Sequence, residues 1–304
     1  MDKFDKLLED LVSNIPALQS QSKARAEADP PENAVAVQLP LWPEPVRGVP
    51  NGFLRSALFG VTAKGKRRYM DGEQVPALDG IEIRYTGQRL DQGDLDVWES
   101  VLHVTRSQNM GEQCRFTAYS LLKILGQTDA GKNRETLHKR LIRLKANSIE
   151  IHQGRYSYAG SLIDEVYRDK HTHEYVLTLN PKLRALFASD QFTVLQWAVR
   201  QDLHGQQIAQ WLHGFYASHA APFAFKVETL LKLSGSAATD FHSSKQKLRK
   251  ALDAVREASS AHGEGFSYEV KGDLVHVEKQ ASVSQRRHLS KKAKAKRKSR
   301  LIPF

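Results

Sequence analysis

Apolar residues recur along this chain with two different periods, and the switches between them mark its elements. From Phe116 to Asn147 the sequence reads FTAYSLLKILGQTDAGKNRETLHKRLIRLKAN. Leu121, Leu122 and Leu125 give a short helix one apolar side; Thr117 is placed to cap its start and Gly126 to stop it. Gln127 to Gly131 have turn composition. A second helix follows from about Asn133, with Leu137, Leu141 and Leu144 at i, i+4 and i+7 on one face. The opposite face of the projection carries Glu135, Thr136, Lys139 and Arg143. A short helix, a turn and a basic helix make a helix-turn-helix, whose second helix fits a DNA major groove.

On either side the period changes. Leu95, Trp98 and Leu102 mark a helix, whereas Gly80–Tyr85 alternates as a strand does. Ser148–His152 and Tyr156–Ala159 flank a Gln153-Gly-Arg155 turn. A hairpin in that place, after a recognition helix, is expected to be its wing. Glu174–Leu179 adds a strand, and Pro181 opens a short helix to about Phe187.

The same order then recurs. Leu121-Leu-Lys-Ile-Leu-Gly126 returns as Leu230-Leu-Lys-Leu-Ser-Gly235, and Phe116 maps onto Phe225 at the same offset. Leu137, Leu141 and Leu144 map onto Leu248, Leu252 and Val255, with a turn two residues longer. Leu95, Trp98 and Leu102 map onto Ile208, Trp211 and Phe215. Phe266–Val270 and Leu274–Glu278 supply a second hairpin around Lys271-Gly-Asp273. In the second basic helix Phe241, Leu248, Leu252 and Val255 face inward, and Ser243, Gln246, Lys247 and Lys250 outward. The expected fold is α+β, a tandem winged helix. The first module spans 53–188 and the second 189–280. Lys132, Thr136, Lys139 and Arg143, with Ser243, Gln246, Lys247 and Lys250, are the candidate DNA contacts; Lys132 and Lys247 suit phosphates and the rest suit base edges.

Charge sharpens this picture. The 304 residues carry a net charge of +11, yet nine Lys/Arg and no acid fall between Arg286 and Arg300, leaving +2 for the rest. The body is not uniformly basic, so a nucleic-acid footprint must come from local clusters. The tail, 281–304, is expected to be disordered when free and to add sequence-independent affinity by releasing counterions. A single cysteine, Cys114, excludes an intrachain disulfide and fits a cytoplasmic location. No apolar run has the length of a membrane span. At the other end, Phe4, Leu7, Leu8 and Leu11 form an apolar stripe within a flexible arm, 1–35.

Other chemistries fail on their residues. Gly126-Gln-Thr-Asp-Ala-Gly131-Lys132-Asn133 is one residue from a phosphate-binding loop, but Asn133 replaces the metal-binding hydroxyl and the preceding run is Leu-rich, not a β-branched strand. The second copy of the repeat has no Gly-Lys. His171, His173 and Glu174 lack a further ligand for a metal. No nucleophile elbow or His-Glu-x-x-His is present. The expectation is no enzyme, no cofactor, no metal and no catalytic residue.

Between the arm and the first module, 36–52, lies Gln38-Leu39-Pro40-Leu41-Trp42, stiffened by Pro40, Pro43 and Pro45. Apolar side chains in such a segment are expected to stay exposed and dock in a partner's groove. The pentapeptide resembles the bacterial sliding-clamp-binding motif Gln-Leu-x-Leu-Phe. Gln38, Leu39, Leu41 and Trp42 are then the clamp contacts, with Pro40 and Trp42 as departures.

QLPLW followed by PEPVR, RSALF at Arg55–Phe59, YTG at Tyr85–Gly87, LFASD at Leu186–Asp190, FTVLQWAVRQDL at Phe192–Leu203, FYASHAAPF and KVETLLKLSGS at Lys226–Ser236 together resemble the TrfA-type plasmid replication initiators. The resemblance runs from about Gln38 to Glu278. It implies a protein that binds repeated double-stranded sites, iterons, at a plasmid origin. It further implies opening of an AT-rich region, with single-stranded AT-rich DNA as a second ligand, and work with the host helicase, the host initiator and the sliding clamp. Such initiators dimerise and bind DNA mainly as monomers. The basic tail is outside the family's pattern. The alternative is a winged-helix transcriptional repressor, autoregulatory, which needs no clamp peptide.

Overall fold

The computed structural model describes residues 39–300 except 63, 64, 66, 107–112, 155, 170, 173, 189, 190 and 237–240; for 156, 241 and 294–300 it describes the backbone alone. The arm with Phe4, Leu7, Leu8 and Leu11 lies outside the described residues, as do Gln38, His173 and the Phe241 side chain.

The fold is mixed α/β. Its first half runs β1 (Val46–Pro50), α1 (Asn51–Leu54), β2 (Phe59–Gly60), β3 (Tyr69–Gln74), β4 (Ile81–Gln88), β5 (Leu90–Asp91), α2 (Gln92–Thr105), β6 (Gln113–Thr117), α3 (Ala118–Ile124) and α4 (Gly131–Lys145). Strands β7 (Ser148–Gln153), β8 (Tyr156–Gly160), β9 (Glu165–Arg168) and β10 (Glu174–Thr178) follow, then a 3-10 helix over Pro181–Phe187. The second half runs β11 (Phe192–Gln196), α5 (Trp197–Asp202), α6 (Gln207–Ala217), β12 (Phe225–Lys226), α7 (Val227–Leu233), α8 (Phe241–Ala261), β13 (Phe266–Lys271), β14 (Leu274–Lys279) and α9 (Val283–Arg300).

The internal repeat is real in three dimensions. Leu95, Trp98, Leu102, Leu121, Leu137, Leu141 and Leu144 are buried, and so are Trp211, Phe215, Leu230, Leu248, Leu252 and Val255 at the repeated positions; Ile208 is half-buried. Two apolar clusters result, one from Leu39 to Trp197 and one from Val199 to Val277. Each half closes a three-stranded antiparallel sheet with equivalent strand order, β6-β10-β9 in the first and β12-β14-β13 in the second. The halves are also joined, because β11 pairs antiparallel with β1, Val46 opposite Gln196.

That topology corrects the expected wing of the first half. The hairpin over Ser148–Ala159, β7–β8, does not pair with β6. It extends the β3–β4 hairpin into a four-stranded sheet, with Ile83 opposite Ile151 and Tyr85 opposite Ile149. The reason is facing: β4 alternates buried Ile81, Ile83 and Tyr85 with exposed Glu82 and Arg84, and β7 offers Ile149 and Ile151 in matching register. The hairpin that completes the β6 sheet is β9–β10, whose Tyr175 lies opposite Phe116.

Helix α2 organises the first half. Its stripe Leu95, Trp98 and Leu102 is buried, but so is its polar face: Gln92, Asp94, Asp96, Glu99, Ser100 and His103. Asp91 and Asp94 form a reciprocal capping box at its start. Each buried acid meets an arginine from elsewhere, as burial of charge requires. Asp94 pairs with Arg143 at 2.5 Å and Arg67 at 3.3 Å, and Asp96 takes the Nε of Arg200 at 2.6 Å. Burial pushes the Glu99 carboxyl up to about 7, against the pull of Arg200.

Two further expectations change. Leu39 and Trp42 are not exposed: both belong to the first apolar cluster, and only Leu41 faces out, at 72% exposure. The Trp42 ring stacks on Phe187 with centroids 6.0 Å apart, and its Nε1 donates to Nδ1 of His103 at 3.1 Å. The prolines that stiffen the segment also aim it; β1 follows directly, and a side chain on Gly48 would meet the Trp42 ring at 2.8 Å. His103 Nε2 faces the Glu44 carboxylate at 2.8 Å, and the Arg106 Nε donates to the Trp42 carbonyl at 3.1 Å. Val283–Arg300 of the basic tail, expected to be disordered when free, form helix α9, and 301–304 lie outside the described residues. Its residues are largely Lys, Arg and Ala, good helix formers, and its start is capped: Gln285 N donates to Ser282 Oγ at 3.3 Å and Ser282 N to Gln285 Oε1 at 3.1 Å. Gln285 Nε2 also donates to the Ala217 carbonyl at 2.7 Å, tying α9 to α6.

Candidate nucleic-acid interface

Helix pairs α3–α4 and α7–α8 occupy the two stretches expected to form helix-turn-helix units. Thr117 Oγ1 accepts from Ser120 N at 3.1 Å, the cap that its position predicts. The turn glycines occupy the left-handed region, Gly126 at φ 67° and Gly235 at φ 70°, where a side chain is strained. The Gly131-Lys132 segment follows helix α3, not a strand, and opens α4; Asn133 Nδ2 donates back to the Thr128 carbonyl at 2.9 Å. It leads from a turn into α4 and is not a nucleotide loop.

The eight candidate contacts divide. On α4, Lys132 and Lys139 are exposed; Lys139 is paired with Glu135 at 2.5 Å, an exposed i,i+4 pair of the weak, solvent-screened kind. Thr136 is half-buried and its Oγ1 donates to the Lys132 carbonyl at 2.8 Å. Arg143 does not face outward. Its guanidinium turns onto buried Asp94, and 12% of its side chain is exposed, because α4 crosses α2 where that carboxylate needs neutralising. Burial and the neighbouring Asp91 carboxylate raise the Asp94 carboxyl, against the pull of Arg143 and Arg67. Arg143 therefore fixes α4 to α2. On α8, Gln246, Lys247 and Lys250 are exposed and Ser243 is half-buried.

Two basic residues were passed over from the sequence. Arg249 is exposed beside Lys250. Arg134, in the second turn of α4, makes a two-pronged pair with Asp129 at 2.5 and 2.6 Å, which lowers the Asp129 carboxyl. Lys245 is committed to the β13–β14 turn, its Nζ donating to the Gly272 carbonyl at 2.6 Å. Among the described residues no cluster of ligating side chains suits a metal, and no helix is long and apolar enough to cross a membrane.

Known proteins bear on this arrangement. The plasmid replication initiator protein TrfA of Escherichia coli is 27% identical over 250 residues, 78% of this chain; the chain spans 63% of that relative's length. Among solved structures, a selenomethionine form of domains 2 and 3 of RctB superposes over 75% of this chain and 98% of its own, with a TM-score of 0.52 and 13% identity. A second structure of those domains covers 74% of this chain and 96% of its own, with a TM-score of 0.51 and 12% identity, a likeness of fold alone. The family model described as TrfA protein matches residues 33–279, most of the chain and both helix pairs. The chain belongs to the TrfA protein family.

Proposed function

We propose that this protein is a plasmid replication initiator that binds repeated double-stranded origin sites through two winged helices, with α4 and α8 in successive major grooves. The observation that carries the reading is the duplicated unit, in which two equivalent helices bury the same leucine positions and expose cationic side chains on the opposite side, Lys132 and Lys139 on one and Lys247 and Lys250 on the other. Lys139, Gln246 and Lys250 read base edges, Lys132 and Lys247 hold phosphates, and hairpins β9–β10 and β13–β14 are the wings. The relative named a plasmid replication initiator supports the same reading. Helix α9 adds charge along the duplex backbone.

Recruitment of the sliding clamp through Gln38–Trp42 is part of the proposal, and it needs Leu39 and Trp42 to leave the core in which they are packed. A free peptide covering 36–44 then binds the clamp more tightly than the intact chain does.

Nuclease footprinting of DNA beside the protein's own gene tests the function. An initiator gives several protections at a regular spacing. A single protected operator would replace the initiator with an autoregulatory repressor, and an absence of sequence-selective protection would remove DNA reading altogether.

A further inference from the structure

A left-handed glycine that closes a helix lets the next backbone N–H groups satisfy most of its last carbonyls. Both turns do so, Gly126 N donating to the Lys123 carbonyl at 3.1 Å and Gly235 N to the Lys232 carbonyl at 3.0 Å, and the carbonyls left over take donors from the other half of the molecule. At the end of α3, the carbonyl of Ile124 accepts from Trp197 Nε1 at 3.1 Å and from Gln201 Nε2 at 3.3 Å, both on α5. At the end of α7, the carbonyl of Ser234 accepts from the Val61 backbone N–H at 2.7 Å, and the carbonyl of Gly235 accepts from the Arg89 guanidinium. The closing glycines face the same donors: a side chain on Gly126 would meet Gln201 Nε2 at 3.0 Å, and one on Gly235 would collide with the Arg89 guanidinium. The contact is thus reciprocal, and it falls on equivalent turns of the repeat.

Other crossings lie beside it. Arg55 Nε donates to Ser218 Oγ at 2.9 Å, Trp211 Nε1 to the Ser56 carbonyl at 3.0 Å, and Arg200, buried on α5, reaches Asp96 on α2. Burial lowers the pKa of both Arg55 and Arg89, the cost of placing these cations between the halves.

From this geometry we infer that Arg89 and Gln201 are positioning residues that lock each helix-turn-helix turn to the opposite half, so that α4 and α8 read DNA as one frame of fixed spacing. Each directs a side-chain N–H at a turn carbonyl. Their effect is on where the two reading helices stand, and so on which spacing between half-sites is accepted. The inference rests on the DNA-reading function proposed above.

The test uses the full chain. Spin labels at Lys139→Cys and Lys250→Cys report the distance between α4 and α8 without DNA; native Cys114 is buried. The otherwise unchanged labelled protein gives one narrow distance, and adding Arg89→Met with Gln201→Leu broadens it while the helical circular dichroism is retained. In parallel, unlabelled protein is titrated with its footprinted repeat and with that repeat carrying one base pair inserted between the half-sites. The insertion costs the parent about 100-fold in affinity, and the doubly substituted protein about threefold or less. A distance that stays narrow, or an insertion penalty that stays at the parent's value, in the folded double variant overturns the inference. If the double variant does not fold, Arg89→Met alone is read by the same two criteria. A parent that binds no duplex selectively sinks the proposed function instead, and the distance measurement still decides whether the turns are locked.

Discussion

Replacing Trp42 with alanine separates two accounts of the segment before β1. As a free linear motif, it would contribute nothing to folding. As packed in the structure, Trp42 is 5% exposed, stacks on Phe187, covers Gly48 and donates to His103. Removing a buried tryptophan typically costs about 3–5 kcal/mol, through lost burial and the cavity left behind. Loss of the indole donor adds little, since Arg47 Nη1 also approaches His103 Nδ1, at 3.0 Å. Leu41→Ala, two-thirds or more exposed, is the internal control and stays within about 0.5 kcal/mol. Urea denaturation followed by far-ultraviolet circular dichroism gives both values from midpoint and slope. An unchanged midpoint for Trp42→Ala would refute the packing argument and return the segment to the exposed linear motif that its prolines suggest.

Further outcomes follow from the same contacts. Asp94→Ala leaves Arg143 without its buried partner, while Arg67 keeps Asp91, and costs about 3–5 kcal/mol, read by the same denaturation; a value below 1 would mean that α4 is not held through this carboxylate. Burial holds His213 down at about 3, so the native state keeps it neutral while the unfolded chain takes up a proton below about pH 6.5. Its stability contribution is therefore complete above that pH and lost as pH falls towards 3. Relative to the parent, His213→Leu gains about 2 kcal/mol on going from pH 8 to pH 5, and the comparison cancels the opposite trend from Asp94 and Glu99, whose carboxyls are raised. A pH-independent difference would show that the imidazole is not buried neutral. Deleting 286–304 removes nine cations and flattens the salt dependence of non-specific DNA binding, by up to about eight in the logarithmic slope; sequence preference survives, and its loss at an unchanged slope would contradict the role given to α9.

The repeat and the secondary structure around it were legible because local period carries them. Leu121 to Leu144 and Leu230 to Val255 needed only helical spacing, and Thr117 and Gly126 sat where a cap and a stop belong. What could not be read depends on distant partners. Arg143 looks like a solvent-facing cation on its own helix, and only the crossing of α4 over α2 brings Asp94 beneath it. The polar face of α2 would ordinarily be solvated; Arg67, Arg143 and Arg200, scattered along the chain, make its burial tolerable. Burial of Trp42 is hidden in the sequence for the opposite reason: prolines argue for extended backbone, and extended backbone can still lead a side chain into a core. The β7–β8 hairpin follows the second helix in sequence, but its pairing was decided by the matching faces of β4. The family resemblance carried the function further than spacing did, since cationic helices alone do not tell an initiator from a repressor.

On the proposed function, α4 and α8 each read part of one duplex site. Binding of Lys139→Ala and Lys250→Ala to the footprinted repeat, with hydroxyl-radical protection mapped for each variant, measures this. Each substitution is expected to cost about 1–3 kcal/mol of specific affinity and to weaken protection over a different half of the repeat. Parent-like affinity for both variants, or loss of the same half by both, would contradict it.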